Sequence, residues 1–339
     1  MILQQNMLST LFRSGLLLVA FCISPISAAG EGDIHSGTHL AQDRFIKATK
    51  PWKIGVVSSG GLKGNQYWPV FNDAMRRAGE EFGVQVAFRF FNVREIKKAE
   101  VSGVHIKGPA ELIDEFIAEA VDGLIVFPFG GPTVAIERVH AKGIPVITIN
   151  SRVPTQKLLT QLTFNNYDAG LRLGRWVAGQ LKKRSKVTVL TGTPQQFHVG
   201  AERTRGIVDG LGETGTAQIL DIQDGIWDRA KAMHITNQWL KEHRKLDAIL
   251  AINDAMALGA VEAIEAAGAP LPIIVGVDAV PDAREAVRQG RLAATVDQAP
   301  AKQGRMAVQL LLRHLETGES YPKSSTWKDS PILTVADLK

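Results

Sequence analysis

One cysteine, Cys22, occurs in the 339 residues, and it lies inside an apolar stretch near the start. If that stretch is removed on export, the remaining chain has no thiol. Disulfides, thiol nucleophiles and cysteine-based metal sites are then excluded. The sequence also lacks H-E-x-x-H and G-x-S-x-G, so metallohydrolase and serine-hydrolase chemistry have no footing. The eight histidines are dispersed; only His198, five residues before Arg203, falls near residues of interest. No block of one charge sign occurs. Thirty-nine Lys and Arg are interleaved with 34 Asp and Glu for a net charge of +5. A diffuse balance of this kind is a solvated surface rather than a nucleic-acid footprint. Beyond residue 23 no apolar run is long enough to span a bilayer.

At the N-terminus, Arg13 is the only charge ahead of the apolar run Gly15–Ile23. Ser24-Pro25 breaks the run, and Ser27-Ala28-Ala29 offers small residues for cleavage. This order predicts a signal peptide over 1–29, cut near Ala29, and hence a periplasmic location. A polar arm over 30–51, with Gly30, Gly32 and Gly37, is expected to be irregular.

From Trp52 the chain alternates short apolar runs with helical spacing. Strands are predicted at Lys53–Ser58, Val84–Phe91, Gly123–Phe127 and Pro145–Ile149. Helices are predicted at Trp68–Phe82, Leu112–Val121 and Val134–Ala141. The rhythm repeats from Leu162, with strands ending at Leu190, Ile222, Ile252, Val277 and Val296 and a last long helix at Ala301–Glu316. Two such series predict an α/β fold of two doubly wound parallel-sheet lobes. The seam is expected near Pro154–Thr163. Asn92–Gly108 interrupts the rhythm with Arg94, Lys97, Lys98 and Lys107 and reads as a long, exposed, charged insertion.

Ligands of open α/β sheets bind beyond the carboxyl ends of strands. After the first strand stands Gly60-Gly-Leu-Lys-Gly-Asn65-Gln-Tyr67-Trp68. Its spacing is neither G-x-G-x-x-G nor a P-loop, so a nucleotide phosphate is not indicated. The adjacent aromatics Tyr67 and Trp68 instead offer ring faces. In the second half, Asn253-Asp254, Asp278 and Gln298 follow strands, Arg203 lies near a helix start and Trp227 leads a helix after Asp224-Gly225. This set of directional donors and acceptors suits hydroxyl groups. Asp254 reads as the N-cap of the following helix.

These residues carry a resemblance. Asn253-Asp-Ala-Met-Ala-Leu-Gly-Ala260, Val275-Gly-Val-Asp-Ala-Val-Pro-Asp282 and Ala294-Thr-Val-Asp-Gln-Ala-Pro300 resemble the ribose-binding protein family of periplasmic sugar-binding proteins, relatives of LacI-type ligand-binding cores. The resemblance runs from Trp52 to the C-terminus. It implies a type I periplasmic binding protein with a three-strand hinge. Lobe 1 would be 52–163 plus 299–327, and lobe 2 164–298 plus 328–339. It further implies a sugar or polyol held by Asn65, Tyr67, Trp68, Asn150, Arg152, Arg203, Trp227, Asn253, Asp278 and Gln298. Tyr67 or Trp68 and Trp227 would sandwich the ring. No enzyme activity, cofactor or metal is implied; the partners would be an ABC transporter permease or a sensor kinase, and the chain a monomer. Where many pentose and hexose binders carry Asp-Arg after the fourth strand, this chain has Asn150-Ser151 followed by Arg152. The missing carboxylate argues against ribose itself. The secretion signal stands where a repressor would carry its DNA-binding helices.

Overall fold

In the computed structural model, which describes residues 31–34, 45–192, 198–243 and 245–339, the apolar runs become the strands of two separate sheets. The signal-peptide reading of 1–29 lies outside the described residues, as does much of the arm. The first series runs β1 (Glu31–Ile34), β2 (Lys53–Ser59), α1 (Tyr67–Phe82), β3 (Gln85–Phe91), α2 (Val93–Ser102), α3 (Pro109–Ala118), β4 (Gly123–Val126), α4 (Thr133–Ala141), β5 (Val146–Asn150) and β6 (Thr160–Phe164). The second runs α5 (Asn166–Gln180), β7 (Ser185–Thr191), α6 (His198–Gly212), β8 (Ala217–Asp224), α7 (Arg229–Glu242), β9 (Ala248–Ala251), α8 (Asp254–Ala266), β10 (Ile273–Val277), α9 (Pro281–Arg288) and β11 (Ala294–Val296). α10 (Pro300–Thr317), β12 (Ser324–Trp327) and β13 (Ile332–Leu333) complete the chain.

The first sheet has the order β1-β12-β6-β5-β4-β2-β3, all parallel. Its central strands are buried along their whole length, as a sheet covered on both faces requires. A methyl group on Gly55 would meet Phe116 of α3, and one on Gly123 would meet Leu311 of α10. Gly55 pairs with Leu124, one residue on from Gly123, so α3 and α10 cover opposite faces. The second sheet is β13-β11-β10-β9-β7-β8, parallel except for the antiparallel β13. There α5 and α6 approach closely along glycines. A methyl on Gly170 would lie 2.3 Å from the Arg203 carbonyl oxygen, and one on Gly206 2.2 Å from that of Tyr167. This approach anchors the helix that carries Arg203.

Among the described residues the chain passes between the sheets after β6, between β11 and α10, and between β12 and β13. Gln298 sits in the second of these passages.

Several expectations are corrected. The second series does not begin at Leu162, because β6 is hydrogen-bonded between β5 and β12 in the first sheet. Asn92–Gly108 is exposed over residues 101–107, as expected, but its first half is a helix. Asn92 caps α2 by accepting from the Arg94 and Glu95 N–H groups, and left-handed Gly103 ends the helix. Part of the arm is regular, since β1 pairs with β12. Asp254 is not the N-cap of α8: Asn253 is extended and accepts from the Met256 N–H, which leaves Asp254 in the first turn.

Candidate functional site

The carboxyl ends of both sheets face a shared cavity of about 500 Å3 between the lobes. The first lobe contributes Asn65, Tyr67 and Trp68 from the start of α1, Phe127 after β4, Asn150 and Ser151 after β5, and the inner face of α2. The second contributes Arg203, Trp227, Asn253 and Asp278, and the passage between the lobes contributes Gln298.

A buried polar network forms the floor. Arg203 is 2% exposed. Its Nε donates to Asn166 Oδ1 (2.7 Å), Nη1 to the Ile252 carbonyl oxygen (2.8 Å) and Nη2 to Gln298 Oε1 (2.5 Å). Gln298 Nε2 in turn donates to the Tyr67 hydroxyl (3.1 Å) and to Asn150 Oδ1 (3.3 Å). One amide thus accepts from the second lobe and donates to the first. Asp278 Oδ1 lies 3.5 Å from Arg203 Nη1. Burial pushes the Asp278 carboxyl up to about 7, although Arg203 opposes the rise. Behind it Asp254 is held well above the carboxylate range by burial and by the Asp278 charge. Asp254 accepts from Thr295 Oγ1 (2.6 Å) and from the Val280 N–H (2.9 Å). Burial also raises the Tyr67 hydroxyl and lowers Arg203. The Ser151 hydroxyl is buried at the cavity and has no hydrogen-bond partner among the described residues. A buried polar atom left unpaired is costly.

Aromatic rings form the walls. Trp68 packs on Phe127 with centroids 4.2 Å apart and meets Tyr67 edge-on at 4.9 Å. Trp227 fills a hollow that glycine leaves open, since a methyl group on Gly192 would fall 2.3 Å from its indole. Six of the eight non-glycine residues with positive φ among the described residues lie at or beside the cavity: Asn150, Ile226, Trp227, Asp278, Ala279 and Ala299. Such backbone costs about 1–3 kcal/mol per residue and persists where the surroundings impose it.

The lobes also touch directly around the cavity. Arg94 Nη2 lies 2.7 Å from Asp228 Oδ2. Gln66 Nε2 donates to Asp282 Oδ1 (3.0 Å), while the Asp282 N–H donates back to Gln66 Oε1 (3.1 Å). Asn65 Nδ2 donates to the Trp227 carbonyl oxygen at 3.4 Å.

Nine of the ten residues singled out from the sequence are brought together here: Asn65, Tyr67, Trp68, Asn150, Arg203, Trp227, Asn253, Asp278 and Gln298. Arg152 is not. After β5 the chain alternates, with Ser151 facing the cavity, Arg152 exposed and Val153 buried, and the Val153 N–H is held by Gln161 Oε1. Sequence reasoning missed Phe127, although it ends a predicted strand. It also missed the α2 contribution of Val93, Arg94, Lys98 and Val101, and the apolar Leu62, Val199 and Ile226.

A family model described as a periplasmic binding protein domain matches residues 54–320. The ribose import binding protein of Bacillus subtilis (strain 168) is 31% identical over 201 residues, 58% of this chain and 64% of that protein. The match therefore spans just under two thirds of that relative's length. A Mycobacterium smegmatis protein crystallised with β-D-fucofuranose is 26% identical, with a TM-score of 0.74, over 85% of this chain and 92% of that one. The fructose-binding periplasmic domain of a hybrid two-component system is 28% identical, with a TM-score of 0.72, over the same shares.

Proposed function

The chain belongs to the periplasmic binding protein domain family, and from that premise we propose that it is an exported solute-binding protein that captures a sugar or polyol between its lobes and delivers it to an ABC importer. The observation that carries this reading is the polar floor built from both lobes. The Asp278 carboxylate accepts hydroxyl protons, while the Asn150 and Asn253 amides and the Tyr67 hydroxyl donate. Trp227 and Trp68 cover the apolar faces of a ring. Such groups bind poorly hydrated ring faces and hydroxyl edges together, which is the surface that a sugar presents. Names of relatives agree: one imports ribose, and another was crystallised with a furanose.

In this reading the mechanism is closure about the three passages. A ligand on one lobe completes its hydrogen bonds only when the other lobe arrives, so it favours the closed form by the difference in contacts. The bonds of Arg94, Gln66 and Asn65 across the rim hold that form together. A second reading has one specific support: a structural neighbour at 28% identity is the fructose-binding periplasmic domain of a hybrid two-component system. In that reading the closed form reports to a histidine kinase.

The test is a thermal-shift screen of the mature protein against pentoses, hexoses, furanose-forming sugars and inositols. A true ligand at about a hundred times its Kd adds about 2.7 kcal/mol of stability and raises the midpoint by several degrees. A screen flat across sugars and polyols overturns the reading. Stimulation of a reconstituted importer's ATPase by the liganded protein separates import from sensing.

A further inference from the structure

Polarity in the cavity runs opposite to that of an ordinary cleft. Its deepest side chains are polar: Gln298, Asn253, Arg203 and Asp278 are 0–4% exposed. Its mouth is apolar. Val101 reaches the cavity while 91% exposed, and Ile226 while 37% exposed. Leu62 and Val93 are half-buried beside them. Large apolar side chains gathered at a water-facing rim mark a surface that something covers.

The charges at this mouth are already committed. Arg94 pairs with Asp228 at 2.7 Å, and Lys98 with Glu95 at 2.9 Å. Both side chains line the cavity while remaining partly open to solvent. At 100° per residue, Val93, Arg94, Lys98 and Val101 fall within about 140° of one face of α2, so Val93 and Val101 border the opening from one side of the helix. The cavity volume of about 500 Å3 lies in the range of sites for drug-sized ligands. Gln298 and Arg203 bond to Tyr67 and Asn150 and to Asn166 at its buried end, and Leu62, Val93, Val101 and Ile226 line its open side.

Resting on the sugar or polyol reading, we infer that the ligand is amphiphilic: a polyhydroxylated head on the polar floor that carries a neutral apolar substituent out through the mouth, as alkyl and aryl glycosides do. The floor satisfies the hydroxyls, including through the unpartnered Ser151 hydroxyl. The substituent covers Leu62, Val93, Val101 and Ile226.

The experiment is calorimetric titration of the mature protein with ribose, allose and galactose, each as the free sugar and as its methyl, butyl and phenyl β-glycosides. Each methylene buried at the mouth strengthens binding about fourfold. The expected result is a butyl glycoside at least tenfold tighter than its methyl counterpart, with the ratio falling toward one in Val101→Asn and Ile226→Asn. Both positions are exposed, so neither change threatens folding. Sugars that bind with a butyl-to-methyl ratio below ten overturn the inference and leave the sugar reading standing. A high ratio that both variants retain overturns the placement of the substituent at this mouth, and the inference with it. No binding by any of these compounds, free or substituted, overturns the inference, and the sugar or polyol reading falls with it where the thermal-shift screen is also flat.

Discussion

Asp278 directly follows a wholly apolar strand, and burial holds its carboxyl at about 7, far above its ordinary 3.8. The carboxyl is therefore neutral in the folded protein over a range where the unfolded chain has released the proton. Between about pH 4 and 7 the folded state binds more protons, so this group's contribution to stability falls as pH rises. Asp254, raised by burial and by Asp278, acts in the same direction. Melting curves across that window are expected to show a steeper decline for wild type than for Asp278→Asn; parallel curves would deny the raised carboxyl. Ligand hydroxyls donating to Asp278 favour its ionised form, so capture near neutral pH should release protons, measurable by titration in buffers of different ionisation enthalpy. In the proposed site Trp227 contributes a ring face. Trp227→Ala is expected to weaken binding roughly 5- to 150-fold, from about 1–3 kcal/mol of lost aromatic burial. Near wild-type affinity in the folded variant would move the ring contact elsewhere.

At the scale of the element, the α5–α6 contact depends on the absence of side chains. A methyl on Gly206 would meet the Tyr167 carbonyl oxygen at 2.2 Å, whereas one on Gly212 of the same helix meets nothing within 4 Å. Gly206→Ala should cost about 1–3 kcal/mol in urea unfolding and Gly212→Ala less than about 0.5; equal effects would contradict the close approach. Legibility from sequence followed the same physics. Strands buried on both faces, such as Ile273–Val277, announce themselves as apolar runs, and reading the one or two residues after each run found Asn253, Asp278 and Gln298. Ser324–Trp327 and Ile332–Leu333 did not stand out, one being polar and the other only two residues long. α2 was hidden because its apolar residues are diluted by Glu95, Lys97, Lys98 and Glu100, although Asn92 and Gly103 mark its ends. Pro281 likewise marks the start of α9. The apolar mouth was not legible at all. It exists only because α2 and the Ile226 loop meet across two lobes, and no spacing in the sequence encodes that meeting. Arg152 failed by one residue, since the alternation after β5 depends on Gln161 holding Val153.

At the scale of the whole molecule, the proposed closure would join two surfaces that are separate in an open form. Small-angle scattering should show a smaller radius of gyration with saturating ligand, and an unchanged profile would leave hinge closure unsupported. Arg94→Met removes the ion pair with buried Asp228 without shortening the side chain greatly. It should shift the unliganded protein toward the expanded form and reduce apparent affinity in proportion to the lost closed population. The three passages between the sheets have a kinetic meaning as well. Because one chain carries both half-sites, a ligand resting on either lobe meets the other at an effective concentration fixed by the tethers, of the order of millimolar or above. Engagement of the second half-site is then a first-order event, independent of how dilute the protein is.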